Sequence, residues 1–233
     1  MGEKTLQPPT AADTLRRGLS ILLKLCIPLA EPIALPMSWD WGHESIFLFY
    51  TEDSNLFAAA VCTLVAAGQV TCLFTGRELP RWLKRLKFVA ASCLALTMLT
   101  VVFVLAPMYG PDGYYVTLFT SSMFFHHFLN PVLAMVSFVL LERSPRLAGR
   151  DVWLALVPTV LYGSWLLGLN LMGLVEGPYP FLMIHHQNVG TTVAWCILIL
   201  LMNLFYAWLL WLLGGNRRKR PAFPQNMRPG TSA

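Results

Sequence analysis

Charge is scarce in this sequence: only 12% of its 233 residues are Asp, Glu, Lys or Arg, about half the share of an ordinary soluble domain. That scarcity excludes a water-soluble surface of normal composition. No short Cys-x-x-Cys pair occurs, which removes the usual thiol metal and redox motifs. All five cysteines, Cys26, Cys62, Cys72, Cys93 and Cys196, lie inside apolar runs and read as small core residues. The first residues, with Glu3, Pro8, Pro9 and Asp13, lack the basic-then-apolar layout of a cleaved signal peptide, so the first apolar run is expected to stay as a span. No internal repeat or low-complexity segment is visible.

What is present is hydrophobic length. Apolar residues make up 56% of the chain and fall into six runs, each able to cross a hydrocarbon core about 30 Å thick. The runs cover about Leu19 to Leu35, Ile46 to Phe74, Leu86 to Pro107, Tyr115 to Leu141, Val152 to Val175 and Val189 to Leu213. The fold class is therefore all-α, an integral membrane bundle of six transmembrane helices. Residues 1–18 form an N-terminal segment, 19–214 the membrane domain and 215–233 a basic, Pro-rich tail expected to be disordered. Pro28, Pro32 and Pro36 should bend the outer half of span one.

Loop charges set the expected orientation. Lys and Arg precede span one (Arg16, Arg17), fill the connections from two to three and from four to five, and follow span six (Arg217 to Arg220). The loops at 36–45, 108–114 and 176–188 contain none, and carry Asp40, Glu44, Asp112 and Glu176 instead. Because cytoplasmic loops hold the excess of Lys and Arg, both termini are expected in the cytoplasm. The net charge of +5 is thus a topology signal, with nucleic acid excluded as a partner. Lys24 departs from the pattern, and its long stem is expected to snorkel to the inner interface.

Ionisable residues inside spans are costly and mark functional or paired structural positions. Four groups qualify: Lys24 with Glu31; Thr51, Glu52, Asp53, Ser54 and Asn55 opening span two; His126, His127 and Asn130 in span four; and His185 with His186 before span six. Lys24 and Glu31 are read as anchors. On a helix, Thr51, Ser54, Asn55, Ala58 and Cys62 share one polar-to-small stripe that should face the bundle, serving a site or close packing. His126 and His127 diverge by about 100°, so they are not expected to reach one small site together. Each could serve as a general base or bond a neighbouring helix, and Pro131 should free a carbonyl beside them. His185 and His186 offer a metal alternative but more often such residues are solvent-exposed.

Three motifs carry a resemblance: Phe49-Tyr50-Thr51-x-x-Ser54-Asn55 opening span two, a His followed by Pro131 in span four, and Tyr179-Pro180-Phe181-Leu182 before span six. In order, spacing and membrane position the chain resembles the family of androgen-induced gene and androgen-dependent tissue-factor-regulating membrane proteins, especially its bacterial six-span branch. The resemblance implies an intramembrane hydrolase, or acyl transferase, acting on lipid esters such as fatty acid esters of hydroxy fatty acids. It implies Thr51 as nucleophile and His127 or His126 as base, in a bacterial inner membrane. Asn55 or Asn130 could donate to the oxyanion, with Ser54, Glu52 and Asp53 around the substrate. The reading calls for no cofactor, a lipid substrate and the bilayer as partners, and leaves the oligomeric state open. Two other function classes stand beside it: an outer His/carboxylate metal or haem protein, and a non-enzymatic transporter or sensor relaying protons through Glu31, Asp53 and His127.

Straight helices create a conflict. Counted from inner ends at Phe74 and Leu140, Thr51 should lie roughly 13 to 15 Å nearer the outside than His126 or His127.

Overall fold

A computed structural model describes residues 11–39, 45–142 and 146–215. Asp40, Glu44, the first ten residues and the expected tail beyond Gly215 lie outside them. Six helices are long and apolar enough to cross a membrane: α1 Ala11–Trp39, α2 Tyr50–Thr75, α3 Arg81–Met108, α5 Ser121–Leu141, α6 Gly149–Leu171 and α7 Val189–Leu213. A short helix, α4 Gly113–Phe119, precedes α5. The described residues contain no strand, so the fold is an all-α bundle of six transmembrane helices.

Helix α3 forms the centre. Its small residues Ala90, Ala91, Ser92, Cys93 and Ala95 are all buried, and they let α2, α5 and α7 pack against it. α1 closes the bundle against α2 and α5. The lipid-facing surfaces stay apolar, with Leu64 of α2, Phe103 of α3, Leu161 of α6 and Leu201 of α7 exposed. On α2 the Thr51, Ser54, Asn55, Ala58 and Cys62 stripe is buried, as its spacing requires.

Helix α1 runs unbroken through Pro28, Pro32 and Pro36 and begins eight residues before the expected Leu19, so Arg16 and Arg17 are helical. Lys24 does not snorkel: it is 0% exposed, its Nζ 2.8 Å from Glu142 Oε1 and 2.6 Å from Ser20 Oγ. The backbone leaves the helix at Glu142, the residue after α5, and turns that carboxylate towards α1. An ion pair in a low-dielectric interior with a hydroxyl bond beside it removes any need for the stem to reach water.

The largest departure from straight spans is at the start of α5. Thr120 is extended and Ser121 has φ 45°, so the chain breaks between α4 and α5. The fourth span therefore starts at Ser121, not Tyr115. Two π-helical stretches, Phe124–Leu129 and Ser137–Leu141, lie within it. Gly113 starts α4 where an added Cβ would strike the backbone of Ala106, so the turn from α3 into α4 requires glycine.

Candidate active site

Thr51 is the second residue of α2, and His127 is the seventh of α5. Both stand in the opening turns of their spans, at the end of the bundle opposite the termini. The expected gap of more than 10 Å is absent: Thr51 Oγ1 lies 3.1 Å from His127 Nε2. The gap closes because α2 runs on past the bundle core to the exposed Phe74, so that Phe74 and Leu140 do not share one depth. His127, not His126, is the partner.

The other nitrogen fixes the tautomer. His127 Nδ1 is 2.7 Å from the carbonyl oxygen of Thr117, which can only accept, so Nδ1 carries the hydrogen. Nε2 is then the bare acceptor, and the Thr51 hydroxyl donates to it. The Thr117 carbonyl is free for this role because α4 stops at Phe119, leaving it in a last turn without an i+4 amide of its own helix. Hydroxyl, imidazole and orienting acceptor stand in the order a nucleophile–base pair needs.

His126 points elsewhere, as adjacent helical residues must. Its Nε2 is 3.3 Å from Glu31 Oε2 and its Nδ1 3.9 Å from Glu52 Oε1. Asn130 donates through Nδ2 to Glu31 Oε1 at 2.9 Å and to Asn55 Oδ1 at 3.0 Å. Asn55 donates to the carbonyls of Thr51 at 2.8 Å and His126 at 3.2 Å. The His126 carbonyl is available because Asn130 N–H already bonds Phe125 in the π register, and the next donor in that register belongs to Pro131, which has none. Both amide hydrogens of each asparagine are thus committed to a buried network that ties α1, α2 and α5 together. Neither amide faces the Thr51 hydroxyl. Ser54 Oγ likewise bonds the Thr51 carbonyl and Thr97 Oγ1, each at 3.0 Å. Asp53 lines a separate recess with Pro158 and Trp165.

One contributor lay outside the residues read as catalytic. Tyr179 is held at the bottom of the loop between α6 and α7, with its hydroxyl 3.5 Å from Thr51 Oγ1. Its ring stacks on Phe181 at 5.1 Å and meets Phe49 edge-on at 5.8 Å. Gly177 lets the loop fold back on itself, since an added Cβ would strike the backbone of Leu182. Burial pushes the Tyr179 phenol above its ordinary value, so it stays a protonated donor. The signal in the sequence was the Tyr-Pro-Phe-Leu motif, which marked the loop without giving the hydroxyl a role.

Thr51 stands where two cavities meet. One, of about 180 Å³ between α2, α3, α6 and α7, is apolar, walled by Leu96, Val101, Leu167, Trp195 and Ile199. The other, of about 140 Å³, holds His127, Glu52 and Ser38 and has the exposed Tyr109 and Val116 at its rim. Thr51 and Tyr179 line both.

His185 and His186 do not join this site. His185 Nε2 bonds the Asn170 carbonyl at 2.9 Å and His186 pairs with Glu176. Among the described residues no group of three or more His, Cys, Asp or Glu is placed to hold a metal ion.

Comparison with known proteins adds nothing to the geometry. No family model, curated protein or solved structure matches the chain.

Proposed function

We propose that this multi-pass membrane protein is a hydrolase of lipid esters, with Thr51 as nucleophile and His127 as general base. The observation that carries the reading is the 3.1 Å contact between Thr51 Oγ1 and an imidazole nitrogen whose other nitrogen is tied to a backbone carbonyl. The resemblance to the androgen-induced gene family, whose motifs supply Thr51 and one of His126 and His127, supports the same assignment.

The acyl chain occupies the apolar cavity, which places the ester carbonyl at Thr51. The Thr51 oxygen attacks the carbonyl carbon while His127 Nε2 takes its proton. The tetrahedral oxyanion accepts from the Tyr179 hydroxyl and from N–H groups among Tyr50, Thr51 and Glu52, which precede the first i→i−4 bond of α2, Asp53 N–H to the Phe49 carbonyl. The bond to the alcohol oxygen then breaks, and Nε2 returns the proton to that oxygen. The acyl group now rests on Thr51. Water attacks it, gives a proton to Nε2, and the acid leaves as Thr51 regains its hydrogen. One water is consumed per ester cleaved; an alcohol in its place would make the reaction an acyl transfer.

With the Lys- and Arg-free loops outside, this site opens at the outer face of a bacterial inner membrane, and both termini are cytoplasmic. Labelling with an alkyl fluorophosphonate tests the assignment. A covalent adduct on Thr51, lost in Thr51→Ala and in His127→Ala, is the expected result; equal labelling of Thr51→Ala would refute it.

A second reading rests on a different observation. Glu31, His126 and Glu52 form a buried acid–imidazole–acid series, the kind of group through which a transporter or sensor relays protons. Proton flux in vesicles that disappears in Glu31→Gln and persists in Thr51→Ala would favour it.

A further inference from the structure

The cavity on the His127 side of Thr51 constrains the half of the ester that departs. We propose that the alcohol half of the substrate carries hydroxyl groups and no negative charge, and that Glu52 enforces this choice. The proposal rests on the hydrolase reading and narrows its substrate class, away from esters whose alcohol half is a free hydroxy acid.

The described residues lining this cavity include Glu52 and no Lys or Arg. The one imidazole among them, His127, is committed at both nitrogens, to Thr51 and to the Thr117 carbonyl. His126 lies behind Glu52, with Glu31 on its other side, so any positive charge it holds is already shared between two carboxylates. The loops at 108–114 and 176–188 contain no Lys or Arg; they add Asp112, while Glu176 is paired with His186. An anionic head entering here would lose its hydration without gaining a partner, and an ionised Glu52 would repel it. Protonated, Glu52 would offer one hydrogen bond and still no positive charge.

The same walls suit a hydroxyl. Glu52 Oε2 and Ser38 Oγ are buried close to one another, and neither has a hydrogen bond of full geometry among the described residues. A carboxylate oxygen accepts and a serine hydroxyl accepts or donates, so a glycerol-like head satisfies both while its acyl chain lies in the apolar cavity beyond Thr51. A buried polar atom left unpaired is costly, and this occupant supplies the missing bonds to two of them.

Binding of non-hydrolysable ethers tests the selection without asking for turnover. Two ethers share one alkyl chain; one ends in glycerol, the other in a hydroxy-acid carboxylate. Each is titrated calorimetrically into the full chain in neutral-lipid nanodiscs. The glycerol ether should bind at least about tenfold more tightly than the carboxylate ether, the scale expected for one unpaired or repelled charge in a partly buried site. Glu52→Gln should narrow the gap. Tyr109→Lys, a change at the exposed rim that puts a cation in the cavity, should narrow it from the other side by strengthening the carboxylate ether. Equal or tighter binding of the carboxylate ether to the wild type overturns the proposal, as does binding of neither. Failure of the hydrolase reading is read separately, as ester turnover that survives Thr51→Ala, and the ether preference is measurable in that variant too.

Discussion

Thr51 and His127 are 76 positions apart in the chain and 3.1 Å apart in space, joined because each lies just inside the same end of the bundle. A helix break before Ser121 and an extended Phe49 before α2 set the two entry points. The dyad's alignment therefore depends on local backbone features as much as on the spans.

The break at Ser121 is the first place to test this. Its φ of 45° is uncommon for a residue with a side chain and worst for a β-branched one. Ser121→Val is expected to cost about 1–3 kcal/mol, the scale of a strained backbone residue, and to lower kcat by shifting the Thr117 carbonyl away from His127. Ser121→Gly should keep both stability and turnover. Thermal unfolding in detergent together with kcat would check the pair; an unaffected Ser121→Val would remove the break from the account.

Tyr179 should act on the oxyanion. Tyr179→Phe keeps the ring that stacks on Phe181 and removes only the hydroxyl, so kcat should fall by about 10²-fold, as for loss of one oxyanion donor. The phenol's raised value also has a stability consequence. Below about pH 10 the phenol is neutral in both folded and unfolded chains and its contribution is intact. Above that, the unfolded tyrosine ionises while the buried one does not, and stability falls with rising pH. The wild type should lose more stability than Tyr179→Phe between pH 9 and about 11, measured by thermal melts at each pH.

The six spans were legible because apolar run length and the alternation of Lys- and Arg-bearing loops depend on the bilayer, which imposes itself on sequence directly. The buried stripe on α2 followed from helical periodicity, and the divergence of His126 from His127 from helical geometry. What stayed hidden was the depth of the dyad, because the overhang of α2 to the exposed Phe74 is set by packing, and with it the break that brings the Thr117 carbonyl to His127. A single chain break at Thr120 and Ser121 carries no strong signal, since neither residue is glycine or proline, yet it moves the start of a span by six residues. The fate of Lys24 was hidden too, because Glu142 lies 118 residues away in sequence and becomes its partner only through packing of α1 on α5.

That pair supplies a stability test. Glu142→Leu alone leaves Lys24 buried without its carboxylate and should cost about 3–5 kcal/mol. Combining it with Lys24→Met should restore much of the loss, because two apolar side chains leave no orphaned charge. A double-mutant cycle on unfolding would reveal this; additive losses would mean the two side chains are not coupled.

Asn55 joins the backbones of α2 and α5 next to the dyad. Asn55→Ala removes three buried hydrogen bonds, two that it donates and one that it accepts from Asn130, and should destabilise by about 1–3 kcal/mol, the scale for leaving buried polar groups unpaired. Asn55→Asp keeps the shape but places an acceptor against two carbonyls, and should be no better. Residual turnover in Asn55→Ala, measured at a temperature where the variant stays folded, would show that the side chain holds the dyad without touching substrate.

The most direct measurement is steady-state hydrolysis of a panel of lipid esters by purified, folded wild type, Thr51→Ala, His127→Ala and the double variant. The account predicts that each single change abolishes turnover, that the double change costs little more because the two groups act as a unit, that Thr51→Ser retains activity, and that His126→Ala retains the dyad's chemistry. Full turnover by Thr51→Ala would contradict it.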